Sequence, residues 1–207
     1  DALSDYTKRG LFGYSLVPDA LYQAIFDWEK THYGYSLEKE DVLFSPGVVP
    51  SIGVAIQAYT QPGDSILIHD PVYHPFANMV KANERNLVTS PLGIEDGHFV
   101  MDLTDMEAKI KNNQVKMLIL CNPHNPGGRV WTKAELIACG LLCQQYGVLV
   151  VSDEIHQDLV FAPHQHHSFH TLAPDFADFS IILTAATKTF NLAAVKLSMV
   201  YIKNKEL

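Results

Sequence analysis

Lys188 stands in Ser180-Ile-Ile-Leu-Thr-Ala-Ala-Thr-Lys-Thr-Phe-Asn191, among small and hydroxyl residues directly behind a short apolar run. Lysine normally keeps its charge in water, and burial at such a place would push its pKa down toward a nucleophilic amine. Taken alone, a strand-end lysine that snorkels to solvent explains the residue at least as well. Two other stretches shift that balance. Asp153 follows the apolar residues of Val150-Val-Ser-Asp-Glu-Ile-His156. A carboxylate there is costly unless paired, although capping the next turn would also account for it. Cys121-Asn-Pro-His-Asn-Pro-Gly-Gly128 holds two Asn-Pro turn signals and a glycine pair for a sharp reversal. Earlier in the chain, Gly47-Val48-Val49 opens an apolar segment. Backbone N–H groups at a helix N-terminus bind phosphate and glycine permits close approach, while an ordinary turn before a core helix reads the same way.

These residues need elements to hold them. Apolar spacing predicts helices over 18–30, from Gly47 to about Tyr59, up to about Asn83, over 103–112 and through Cys143. Asp102 or Thr104 caps the fourth, and Thr132-Lys-Ala-Glu135 is a capping box for the fifth. Strands are expected over 41–45, 65–69, 86–90, 115–121, 148–152, 180–183 and 197–202. Strands and helices thus alternate at short intervals, which predicts an α/β fold, a mostly parallel sheet with helices on both faces. In such sheets ligands gather at the carboxyl ends of the strands. Gly47, Tyr73, Asn125, Asp153 and Lys188 all fall just past predicted strand ends.

The lysine segment, the 121–128 and 150–156 stretches and Gly10-Leu-Phe-Gly-Tyr14 together resemble the fold-type I pyridoxal phosphate (PLP) enzymes. Within the class I/II aminotransferases, the wording is most similar to the cystathionine β-lyase and C–S lyase subgroup, from Gly10 to Tyr201. The resemblance implies the large PLP-binding domain of the aspartate aminotransferase-like fold. Residues 1–207 would be an incomplete copy of that domain, with N- and C-terminal parts of a longer chain, including the small C-terminal domain, outside the sequence.

It also implies roles. Lys188 would be the Schiff-base lysine and would move a proton at the substrate Cα, and Asp153 would pair with the protonated pyridine nitrogen. Asn125 would donate to the cofactor's phenolic oxygen. His156 stands where relatives often carry a tyrosine near that oxygen, a contact that competes with simple core packing. Gly47, Val48 and Val49 would hold the phosphate, with Thr187 adding a hydroxyl; Ala185 departs from the serine usual three residues before the lysine. Tyr73 would stack on the ring. Tyr14 would reach the phosphate of a neighbouring subunit's cofactor, making the site complete only in a homodimer, unless it is a surface-loop tyrosine.

The implied activity is α,β-elimination on cystathionine or a cysteine-like amino acid, giving pyruvate, ammonia and a thiol. An aminotransferase with the same cofactor residues is the alternative, and a non-catalytic, protein-binding member of the fold a second.

A chain of 207 residues with 47% hydrophobic and 18% charged residues can bury a sizeable core. Its net charge of −8 argues against nucleic acid or an anionic membrane as partner, and no apolar run reaches spanning length. Cys121, Cys139 and Cys143 make no CxxC pair and are read as buried free thiols in a cytoplasmic protein, the latter two lying one helical turn apart in the core. His164, His166, His167 and His170 lack ligand spacing with carboxylates or cysteines, so no metal is expected.

Overall fold

The structure, a computed structural model, describes residues 2–14 and 16–207. Its strands are β1 Val42–Ser45, β2 Ser65–Asp70, β3 Asn86–Glu95, β4 His98–Met101, β5 Met117–Cys121, β6 Leu149–Asp153, β7 Ser180–Thr184 and β8 Ser198–Tyr201. The helices are α1 Ala2–Lys8, α2 Asp19–Tyr33, α3 Val48–Tyr59, α4 Pro75–Ala82, α5 Leu103–Asn113, α6 Lys133–Gln145 and α7 Ala186–Thr189.

All eight strands form one sheet in the order β1-β8-β7-β6-β5-β2-β3-β4. The pairs among β7, β6, β5, β2 and β3 are parallel, whereas β8 is antiparallel to both neighbours and β4 is antiparallel to β3.

The two-residue period of a strand builds two cores from one sheet. In β5, Leu118 and Leu120 join Met106, Ile110, Leu136, Cys139 and Cys143 of α5 and α6, with Ile25 of α2. Met117, Ile119 and Cys121 face the other way, onto Val48, Ile52 and Ile56 of α3 and Phe76 and Val80 of α4. Helices therefore cover both faces, as expected. Every residue of β5 and of β7 is buried, which explains their unbroken apolar runs.

Local signals agree with the ends of these helices. Asp102, not Thr104, caps α5 by accepting from the Asp105 N–H at 2.9 Å. Thr132 and Glu135 make the reciprocal capping box of α6, at 3.2 Å and 2.7 Å.

The structure adds elements the periodicity missed. β3 continues to Glu95 and turns through Asp96 (φ 47°) and Gly97 (φ 77°) into β4. An Asp-Gly pair with both φ values positive is the two-residue hairpin turn. α1 carries no buried residue, and α7 is a single turn. Among the described residues, no helix is long and apolar enough to cross a membrane.

Candidate active site

Because β1 and β7 are each antiparallel to β8, β1 runs in the same direction as β7, β6, β5 and β2. Their carboxyl ends share one edge of the sheet. Gly47, Tyr73, Asn125 and Lys188 follow those ends and Asp153 closes β6, and they line a single cavity of about 260 Å³ together with Val48, Val49, His156 and Thr187. Of the residues expected at the site, only Tyr14 lies elsewhere.

One wall is the start of α3. Gly47 is its N-cap at φ +133°, a conformation L side chains rarely adopt, and it offers no side-chain cap. The first intrahelical bond comes from the Ser51 N–H to the Gly47 carbonyl. The N–H groups of Val48 and Val49 therefore precede the helical ladder, and the macrodipole adds to their pull on an anion.

Asp153, the last residue of β6, is 4% exposed, and its Oδ1 accepts from the Ile155 N–H at 3.1 Å. Burial pushes its carboxyl pKa up to about 7, helped by the charge of Glu154 and opposed by Ile155 and Lys188. A cationic N–H beside this carboxylate would relieve that cost. His156 is half-buried, with its pKa lowered first by burial and then by Lys188.

Lys188 corrects an expectation. It is exposed, not buried, because α7 places no side chain in the core. It lines the same cavity as the buried carboxylate of Asp153.

Asn125 is held through its own N–H, which donates to Cys121 Sγ at 3.3 Å, while that thiol donates to the Pro123 carbonyl. Burial, then Asp153, pushes the Cys121 thiol pKa up, so it stays protonated. His124 Nε2 lies 2.8 Å from the Pro71 carbonyl and joins the loop bearing Asn125 to the loop bearing Tyr73. The Tyr73 ring stands edge-on to Phe76, at 5.9 Å between centroids.

Three findings were not foreseen. Lys196, in the left-handed conformation at φ 53°, puts a second cation on the cavity wall, and no local sequence signal marks it. Cys121 also lines the site. Ala185 lies 3% exposed on a separate apolar cavity of about 330 Å³, whereas Thr187 borders both cavities and brings its hydroxyl-bearing side chain to the lining of the site.

Tyr14 is fully exposed, and Leu11, Phe12 and Leu16 near it are also exposed. The histidine-rich loop is structural. His166 Nε2 meets Glu154 Oε2 at 3.0 Å, and His170 bridges Tyr35 and the Ser180 carbonyl. Among the described residues no group of His, Cys, Asp and Glu is placed to hold a metal.

The family model for aminotransferase class I and II matches residues 2–207. Cystathionine beta-lyase PatB of Bacillus subtilis is 41% identical over 99% of the chain, which covers 53% of that relative. Protein MalY of Escherichia coli is 33% identical over 94% of the chain, which covers 50% of it. A PLP-bound C–S lyase from Staphylococcus hominis superposes with a TM-score of 0.94 at 31% identity, over 99% of this chain and 52% of that one. The chain thus spans about half the length of the curated relatives it matches.

Proposed function

From the chain's place in the aminotransferase class I and II family, to which it belongs, we propose that it forms the cofactor-binding large domain, in part, of a PLP-dependent C–S lyase. The lyase relatives are the specific support. The observation that carries the proposal is the pairing, in one cavity, of an amine, Lys188, with a buried carboxylate, Asp153, beside the free N-terminus of α3.

The donor set suits PLP group by group. The N–H groups of Val48 and Val49, Thr187 and Lys196 suit the phosphate. Gly47 lets the backbone come close. Tyr73 offers a flat face for the ring, and the Asn125 amide and His156 suit its phenolic oxygen. When bound, PLP supplies an electron sink for the pair left at the substrate Cα.

Asp153 would hold a proton at the ring nitrogen, and a cationic partner there would return its carboxyl toward the ionised form. Lys188 would hold the cofactor through its amine and would take the proton from the substrate Cα, and its position on the exposed turn leaves the side chain free for both roles. Expulsion of the β-thiolate and hydrolysis leave thiol, pyruvate and ammonia. The substrate is a cystathionine or cysteine-like amino acid.

Tyr14 and its exposed apolar neighbours support a homodimer in which this arm packs on a second copy, bringing Tyr14 to that copy's phosphate site. The three free, buried thiols accord with a cytoplasmic protein.

Product analysis on the intact protein tests the proposal, with Lys188→Ala as control. Pyruvate and thiol released from cystathionine without a keto acid support the lyase. Amino transfer that depends on an added keto acid would make the protein an aminotransferase instead. Neither activity, with partner-protein binding retained, would point to a non-catalytic member of the fold.

A further inference from the structure

The turn that carries Lys188 has little to hold it. α7 is four residues long with no buried side chain, far below the length at which a helix is stable by itself. Among the described residues, one side-chain hydrogen bond joins it to another element: Thr189 Oγ1 donates to Asp158 Oδ2 at 2.5 Å. The other oxygen of that carboxylate accepts from Trp28 Nε1 at 3.0 Å and from the Tyr33 hydroxyl, both on α2. Asp158 in turn belongs to the tight segment after β6 that begins with Asp153, where Gln157 N–H donates to the Glu154 carbonyl and Leu159 N–H to that of His156, each at 2.9 Å. One carboxylate therefore sits where the Asp153 segment, the Lys188 turn and α2 meet.

A hydroxyl donating to a carboxylate is among the stronger hydrogen bonds, and it is directional. Two donors from a regular helix hold the acceptor still, so the third donor is held by a fixed point. Reaction geometry tolerates only small errors in placement. We propose that Asp158 is a positioning residue, whose carboxylate fixes Thr189 and through it aims the amine of Lys188 across the cavity toward Asp153. This rests on the PLP site proposed above and adds a residue to it. Asp158 is outside the lining of the cavity that holds Lys188 and Asp153 and borders the neighbouring apolar one.

The test measures where PLP lands, not turnover. The full chain is incubated with PLP, reduced with borohydride and digested, and the label at Lys188 is expressed as a share of that at all lysines. Wild type concentrates label at Lys188. Thr189→Val, which keeps the shape and removes the donor, lowers that share about tenfold, and Thr189→Ser restores it. Tyr33→Phe takes a donor from the same carboxylate without touching α7. Trp28 Nε1 still donates to the same oxygen, so the carboxylate stays anchored: the melting temperature falls but the label stays at Lys188. The proposal is overturned if Thr189→Val labels like wild type, or if Tyr33→Phe loses as much label as Thr189→Val. If wild type itself shows no preference for Lys188, the PLP site falls and this inference with it, a result distinct from the other two.

Discussion

Asp153 and Glu154 are consecutive and both buried, yet their carboxyl groups are driven in opposite directions. Asp153 faces the cavity and rises to about 7 because burial outweighs its one backbone donor and the charge of Lys188. Glu154 is fully buried on the other side, where burial raises its pKa but His166, the Phe169 N–H and Ser168 lower it further. Alternation along the chain separates an acid left short of a partner from one that is well supplied.

Their substitutions should therefore diverge. Glu154→Gln breaks a buried pair and should cost about 3 kcal/mol, seen as a lower denaturant midpoint at unchanged slope. Asp153 carries a raised pKa, so its contribution to stability is complete below its ordinary value of 3.8 and is lost as pH rises through about 7. Asp153→Asn should flatten that decline and be neutral or stabilising at pH 8, while abolishing turnover. Equal losses for the two variants at pH 8 would contradict this division.

Gly47→Ala imposes strain without a clash. The added Cβ meets Pro50 Cδ at an ordinary 3.5 Å, but φ +133° is unfavourable for alanine. A cost of about 1–2 kcal/mol is expected, together with roughly tenfold weaker PLP binding by fluorescence titration as the backbone shifts. Binding unchanged at that loss of stability would take the phosphate away from the α3 terminus.

Acid sensitivity should trace in part to His69. It is 1% exposed, neither ring nitrogen has a partner among the described residues, and burial, then His124, pushes its pKa from 6.5 to about 3. The folded state binds fewer protons, so stability is present above 6.5 and is lost as pH falls toward 3. His69→Leu should recover about 2 kcal/mol at pH 5 relative to pH 8. Parallel melting curves for variant and wild type between those pH values would assign the acid limb to other groups.

Mixing experiments address Tyr14. If it serves the second copy, Tyr14→Ala and Lys188→Ala chains are each impaired alone. A one-to-one mixture of the two should regain about a quarter of wild-type activity, since about half of its dimers are hybrids and one of the two sites in each hybrid is intact. No recovery after subunit exchange would place Tyr14 outside the partner's site.

Much of this molecule is legible in residue order because its central strands are buried on both faces and its helices carry explicit caps. Thr132 with Glu135 and Asp102 mark helix starts, and five strand ends mark the edge where chemistry belongs. The β3–β4 hairpin was also signalled, by Asp96-Gly97, but β4 lies at the sheet edge with no fully buried residue and so lacks a strong apolar pattern. Lys196 and Asp158 were illegible for another reason. One depends on a left-handed backbone at a non-glycine residue, the other on donors more than a hundred residues away in sequence. Lys188 was expected in the interior, yet the short turn that carries it rides on the surface.

Gathering every reactive end on one edge leaves the opposite edge of the sheet chemically silent. The exposed turn residues before β2 at 61–63, before β5 at 114 and before β6 at 147 lie there, behind the cavity, whereas Val115 and Val148 next to them belong to the core. Foreign sequence such as an epitope, a fluorophore site or a surface anchor spliced into these turns would leave the cavity facing outward, so the protein could be tethered by its back with its working face open.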